Sequence, residues 1–172
     1  MRLSSLLFFC LLILISCQEP VDEKIDTSWS ILYKQVLEPN CSNCHMNGSA
    51  IQKQSGLDLS SSVAYNALVG VTPKNSAAIN DGLLRVSTEG GMKGLTQSYL
   101  WEKINVYDQE HFLNDHPEYG QLMPPGGNVL TDGELQFVRS WIEAGAPESG
   151  IVVDEDLSVS YTHLRAHETV LD

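Results

Sequence analysis

Cys41-Ser42-Asn43-Cys44-His45 is the stretch of this sequence that decides most about the fold. The C-x-x-C-H pattern is the signature of covalent c-type haem attachment. Two thiols three residues apart add to the two vinyl groups of one haem, and the adjacent histidine then lies directly under the iron. The sequence therefore predicts one covalent haem c, with Cys41 and Cys44 as its thioether attachments and His45 as the proximal iron ligand.

Other uses of a C-x-x-C pair are less compatible with the rest of the chain. A thioredoxin-like redox pair is expected in a βαβ context, which this sequence lacks. A zinc site needs further Cys or His ligands at suitable spacing, and the candidates, His111 and His116, lie far along the chain. A small disulfide in an exported protein remains an alternative, but it would leave the histidine without a role.

The N-terminus indicates export. Arg2 is followed by the apolar run Leu6 to Ile15, which is too short to span a bilayer and has the proportions of a signal-peptide core. The run ends in Leu14-Ile15-Ser16-Cys17, which resembles the bacterial lipobox. This resemblance implies that residues 1–16 are a signal peptide, that Cys10 is lost with it, and that Cys17 carries a lipid. An ordinary signal peptide with an incidental cysteine is the alternative.

Composition divides the remainder of the chain. Residues 17–27 are acidic and almost free of apolar side chains, which is typical of a flexible tether; ten extended residues reach roughly 33–36 Å. Residues 28–157 have the size of one domain with one core. Residues 158–172 resemble the translated read-through of a sequencing adapter, so His163 and His167 are not treated as ligands.

The net charge of −12 argues against nucleic acid and against electrostatic binding to anionic lipid. It is consistent with solubility or with steering towards a basic redox partner. We therefore expect a lipid-anchored protein on the periplasmic or cell-surface side of a membrane.

Apolar periodicity predicts an all-α fold of about four helices with long loops. The predicted helices are residues 28–37, ended by Pro39 and Asn40, then 60–69, 97–105, and a final helix that begins at Thr131 and stops at Gly145. Thr131 and Glu134 form a T-x-x-E capping box for that last helix. Residues 46–58, 70–96 and 111–128 are predicted to be loops.

Three features together resemble the class I monohaem cytochrome c family, in a variant found in exported bacterial lipoproteins and multi-domain cytochromes. They are a helix before C-x-x-C-H, the loop Met123-Pro124-Pro125-Gly126-Gly127, and the L-x-x-x-R-x-W-I-x-x-G-A pattern of residues 135–146. The resemblance covers residues 28–148. It implies that the first and last helices cross with aromatic packing from Trp141, and that a proline-loop carbonyl, here Pro73, accepts the Nδ1 proton of His45.

The sixth iron ligand is predicted to be Met123. Two prolines stiffen the loop that presents its thioether, although a methionine is often only a core filler. Met92, His116 and His111 remain alternatives, whereas Met46 adjoins His45 and cannot reach the opposite haem face. The interval from His45 to Met123 is longer than in compact family members, which predicts an insertion within residues 105–120 of open role.

A haem with His and Met ligands has no open position, so the predicted function is one-electron transfer by a membrane-tethered carrier that is not an enzyme. The partners would be an electron donor and an electron acceptor. Three alternatives remain: a five-coordinate haem peroxidase or gas sensor, an electron-transfer module of a larger oxidoreductase complex, and a haem-free disulfide module.

Overall fold

A computed structural model of the chain describes residues 26–108, 115–126 and 129–152. Within these ranges the protein is all-α, as predicted, and only isolated bridges such as Val69 with Val86 pair extended residues. No helix in the described ranges is long and apolar enough to cross a membrane. The helices are α1 Ser28–Leu32, α2 Asn43–His45, α3 Ala50–Ser55, α4 Ala64–Leu68, α5 Ser76–Asn80, α6 Gly91–Thr96, α7 Tyr99–Ile104 and α8 Asp132–Glu143.

The first helix runs without a break into the C-x-x-C-H motif. Wide π-helical turns, Tyr33–Ser42, join α1 to α2 and contain Pro39. The predicted break at Pro39 and Asn40 is therefore wrong. Two side chains supplement the backbone bonding around the proline: Asn40 Nδ2 donates to the Val36 carbonyl at 2.9 Å, and Ser42 Oγ donates to the Leu37 carbonyl at 3.2 Å. Asn40 bonds back along the helix where it was expected to end it.

Two of the predicted loops contain short helices. Residues 46–58 hold α3, whose first turn is capped by Ser49 and which ends at Gly56 in the left-handed region. Residues 70–96 hold α5, capped by Asn75, and α6. Among the described residues, three short helices, α3, α5 and α6, thus lie where loops were expected. Each added helix has only five or six residues, too few to show an apolar period.

The C-terminal helix α8 organises the core. Both halves of the predicted capping box between Thr131 and Glu134 are present. Trp141 is fully buried, and its ring centroid lies 5.5 Å from that of Trp29 in α1. The expected aromatic packing between the first and last helices is confirmed. Tyr65 extends the cluster, because its ring lies edge-on to Trp29 and its hydroxyl donates to the Ala146 carbonyl at 2.8 Å.

The beginning of α1 is tied to the segment that follows α8. The Ser28 amide donates to the Gly150 carbonyl at 3.0 Å, and the Val152 amide donates to Ser28 Oγ at 2.9 Å. Ser28 itself is 1% exposed. The two ends of the segment from residue 28 to residue 152 are therefore hydrogen-bonded to each other.

A smaller cluster forms beside the main core, built from Ala78, Leu83 and Tyr119. Tyr119 belongs to the predicted insertion, and its hydroxyl donates to Asp81 at 2.7 Å. The Asn75 side chain donates to the Glu118 carbonyl at 2.9 Å. The described part of residues 105–120 thus packs against α5.

Several predictions lie outside the described residues. They concern the signal peptide with Cys10 and Cys17, most of the 17–27 tether, His111, Gly127, and the tail after residue 152.

Candidate functional site

The two cysteines of the C-x-x-C-H motif lie where the wide helical turns pass into α2. Cys41 is half-buried, Cys44 is exposed, and both thiols are free. Burial raises the pKa of the Cys41 thiol to about 12, helped by the charges of Glu134 and Cys44. Because the thiolate is the nucleophile in disulfide exchange, a raised thiol pKa does not favour a reactive redox pair. The Cys41 thiol is therefore protonated at neutral pH.

His45 follows Cys44 directly and is held on two sides. Its carbonyl accepts the Leu59 amide at 2.8 Å, and its Nδ1 lies 3.3 Å from Ser55 Oγ. Burial lowers the pKa of the imidazole, the charge of Arg85 lowers it further, and a hydrogen bond with the Leu57 backbone opposes them. The ring is therefore neutral at neutral pH, which is the form that binds a metal ion.

The expected partner of the His45 ring was the Pro73 carbonyl. The structure places Ser55, at the end of α3, against Nδ1 instead. The prediction of Pro73, which is the only proline between His45 and the third predicted helix, is wrong because the partner at Nδ1 lies on α3. The short helix α3 brings Ser55 back to the histidine only ten residues further along the chain.

Arg85 is a buried cation close to this histidine. It is 9% exposed and uses its guanidinium on backbone carbonyls, with Nη1 donating to Ala67 at 2.6 Å and Nη2 to Ser55 at 3.4 Å. Among the described residues no carboxylate pairs with it. A buried charge is costly without an opposite charge nearby. A haem carries two propionate carboxylates, so an acidic prosthetic group beside His45 fits the charge present here.

Met123 is held by a different part of the fold. It is partly exposed, and its amide donates to the Lys103 carbonyl near the end of α7 at 2.7 Å. The backbone of Met123 is therefore held by α7, whereas the ring of His45 is held by α3. No hydrogen bond between described residues joins Met123 to His45.

The rival sixth ligands have other surroundings. Met92 is 60% exposed, and its sulfur faces Arg139 Nη2 of α8 at 3.7 Å. The His116 ring stacks on Tyr119 with centroids 4.5 Å apart. Met46 is 51% exposed and directly follows His45 in the chain. Met123 instead lies on a segment that is held by its backbone bond to Lys103 and by the packing of the Leu122 side chain against the smaller core cluster.

His116 also belongs to a surface group with two acids. Ligand atoms of Asp81, His116 and Glu118 all lie within 4.8 Å of one another. The carboxylates are exposed, and the Asp81 carboxylate already accepts from Tyr119. His116 therefore lies among residues that pack the predicted insertion, residues 105–120, against the end of α5.

Sequence reasoning missed Ser55, Arg85 and the contact of Glu134 with the motif. Asn40, immediately before Cys41, donates from Nδ2 to Glu134 Oε1 at 3.2 Å. Arg85 did leave a signal, since it interrupts the apolar run of residues 83–86. Ser55 left none, because one serine in a polar segment has no pattern.

No protein-family model matches this chain, and no curated protein or solved structure matches it.

Proposed function

We propose that this protein is a c-type haem electron carrier tethered to a membrane by lipid. The observation that carries the proposal is the arrangement of Cys41, Cys44 and His45. Two unpaired thiols and a neutral histidine share one helical end, and that histidine is oriented by a hydrogen bond at Nδ1. The all-α fold and the Trp29–Trp141 packing between its terminal helices support the resemblance to class I cytochromes c.

Each residue of the site has a distinct part in this proposal. When bound, the haem supplies reversible one-electron transfer at its iron. Cys41 and Cys44 would hold the group covalently, and His45 and Met123 would bind its iron. A thioether is a soft ligand, so Met123 would favour the reduced metal and close the position that oxygen or peroxide needs. The Arg85 guanidinium would offset a propionate charge.

The proposed setting follows from the chain outside the domain. A lipid on Cys17 and an acidic tether would hold the domain near the membrane. The net charge of −12 favours a basic donor or acceptor protein over an acidic one. The protein would then carry electrons between such partners without catalysing a reaction of its own.

The experiment that tests attachment is expression of the full chain with an export-linked haem maturation system. We expect a covalent haem that survives denaturing electrophoresis, with a matching mass increase. Cys41→Ala and Cys44→Ala should each impair attachment, whereas Asn43→Ala, an exposed change inside the same motif, should not. Unchanged haem staining in both cysteine variants contradicts the proposal.

Two further measurements separate the alternatives. A low-spin spectrum that does not respond to carbon monoxide supports two axial ligands, and a high-spin, responsive spectrum supports the peroxidase or sensor reading. Cys17→Ala should move the protein from the membrane fraction to the soluble fraction. Continued membrane association would contradict the lipid anchor.

A further inference from the structure

We propose that Ser55 is the positioning residue of the proximal histidine, and that its hydroxyl oxygen accepts the Nδ1 proton of His45 and so sets how strongly the ring donates to iron. This inference rests on the proposed haem function. It adds a side-chain hydroxyl to the contact that the Leu57 backbone makes with the same ring, whereas the family resemblance gave this task to a backbone carbonyl alone.

The direction of the hydrogen bond follows from counting the protons around Ser55 Oγ. The hydroxyl has one proton to donate, and it lies 2.8 Å from the Ile51 carbonyl, which can only accept. The Leu57 amide, which can only donate, lies 3.2 Å from the same oxygen. Towards His45, at 3.3 Å, the oxygen is therefore an acceptor. The proton of the neutral ring then sits on Nδ1, and Nε2 keeps the lone pair that a metal requires.

Ser55 is itself held firmly in place. It is the last residue of α3, and Gly56 behind it reverses the chain at φ +69°. Glycine adopts this left-handed conformation without strain, and a Cβ at position 56 would in addition lie 3.2 Å from Arg85 Nη2. Arg85 also donates to the Ser55 carbonyl at 3.4 Å. The backbone that carries the hydroxyl is thus fixed from two sides.

The expected effect has a definite sign. A hydrogen-bond acceptor on the outer nitrogen of a ligating histidine fixes the ring orientation and raises its basicity. A more basic ligand stabilises the oxidised iron. Removing the hydroxyl should therefore raise the reduction potential and loosen the orientation of the ring.

The test compares Ser55→Thr with Ser55→Val in the haem-loaded full-length protein. Threonine and valine have nearly the same shape, but only threonine keeps a hydroxyl. At a fixed potential near the midpoint, we expect the ratio of reduced to oxidised protein to be roughly threefold to tenfold higher for valine, the range of one net hydrogen bond. We expect threonine to remain near the wild type. Electron paramagnetic resonance of the oxidised protein should show a changed or broadened signal for valine alone.

A control separates loss of stability from loss of the hydrogen bond. Asn75 caps α5 through a bond from the Ala78 amide at 3.0 Å, so Asn75→Ala should lower stability while the potential stays unchanged. Equal potentials for the threonine and valine variants, or a lower one for valine, would overturn the assignment of Ser55 while covalent haem is still present. Absence of covalent haem in the wild type would overturn the proposed function and, with it, this inference. Should Ser55→Val fail to mature, Ser55→Ala takes its place with the same expected sign.

Discussion

The contact between Asn40 and Glu134 links the residue before the haem motif to the last helix, 94 positions along the chain. We expect a double-mutant cycle on this pair to show coupling. Asn40→Ala removes the bond to Glu134 Oε1 at 3.2 Å and the bond to the Val36 carbonyl at 2.9 Å. A neutral hydrogen bond contributes about 1 kcal/mol and one to a charged group about 1.5–3 kcal/mol. The single variant should therefore lose about 2.5–4 kcal/mol of unfolding free energy.

Glu134→Ala removes the same bond and also the carboxylate half of the capping box. Its Oε2 accepts from the Thr131 amide at 2.8 Å and from the Thr131 hydroxyl at 2.9 Å. Loss of a cap costs about 1 kcal/mol, so this variant should also lose about 2.5–4 kcal/mol. Because Glu134 is 8% exposed but Asn40 is only half-buried, we expect a coupling energy near the low end, about 1.5 kcal/mol.

The assay is equilibrium urea denaturation followed by far-ultraviolet circular dichroism, with all variants in the same haem state. Thr27→Ala provides the control, because Thr27 caps the other end of the long first helix by accepting the Ser30 amide at 3.1 Å. Asn40→Ala and Thr27→Ala should be additive to within about 0.5 kcal/mol. If Asn40→Ala and Glu134→Ala are equally additive, the two helices are not joined as described.

Three other predictions test the core, the sixth ligand and the pH response. Trp141→Ala should lower the unfolding free energy by about 3–5 kcal/mol, and Trp141→Phe by less, since it mainly loses the indole bond to the Pro147 carbonyl at 3.0 Å; equal losses in urea denaturation would contradict this. Met123→Leu should give a haem spectrum that responds to carbon monoxide, whereas Met92→Leu should not; the reverse result would reassign the ligand. Burial lowers the pKa of Lys103 from its ordinary 10.5 to about 8, so the folded state loses this proton first. Stability relative to Lys103→Met should therefore rise between about pH 8 and 10.5, and a constant difference in urea midpoint would refute the burial effect.

The last helix was predictable because its signals are local and repeated. The capping box indicates where the helix begins, and its apolar residues recur at helical spacing: Leu135, Val138, Trp141 and Ile142. Each of these side chains is at most 1% exposed. The buried face of a long amphipathic helix can be read from the spacing of its apolar residues. In α8 the predicted face is the buried one.

The short helices were not predictable in the same way. Five or six residues span little more than one turn, so α3 and α5 show no period. Their signals were single caps, Ser49 and Asn75, in segments whose glycines indicated loops. Proline usually ends a helix because it lacks an amide proton. At Pro39 the helix continues, because π-helical bonding and the side chains of Asn40 and Ser42 compensate for the missing bond.

In the candidate site, too, the contiguous residues were predictable and the residues brought together by the fold were not. Cys41, Cys44 and His45 form a contiguous motif, so their proximity needed no fold. The neighbours of His45 do depend on the fold, since Ser55 is placed by α3 and Arg85 arrives from a segment forty residues beyond the histidine. Met123 depends on the proline loop and stays a prediction.

The bonds that join Ser28 to Gly150 and Val152 give the domain a practical property. A unit whose two ends meet can be spliced into a surface loop of another protein without forcing that loop apart. It can also be circularly permuted with a short linker from residue 152 to residue 26, and new ends in the exposed turn at Gly48. A permuted chain opened there would separate the haem motif from the residues that follow it, Ser55 included, by one cut, and would show whether the order of synthesis matters for haem attachment.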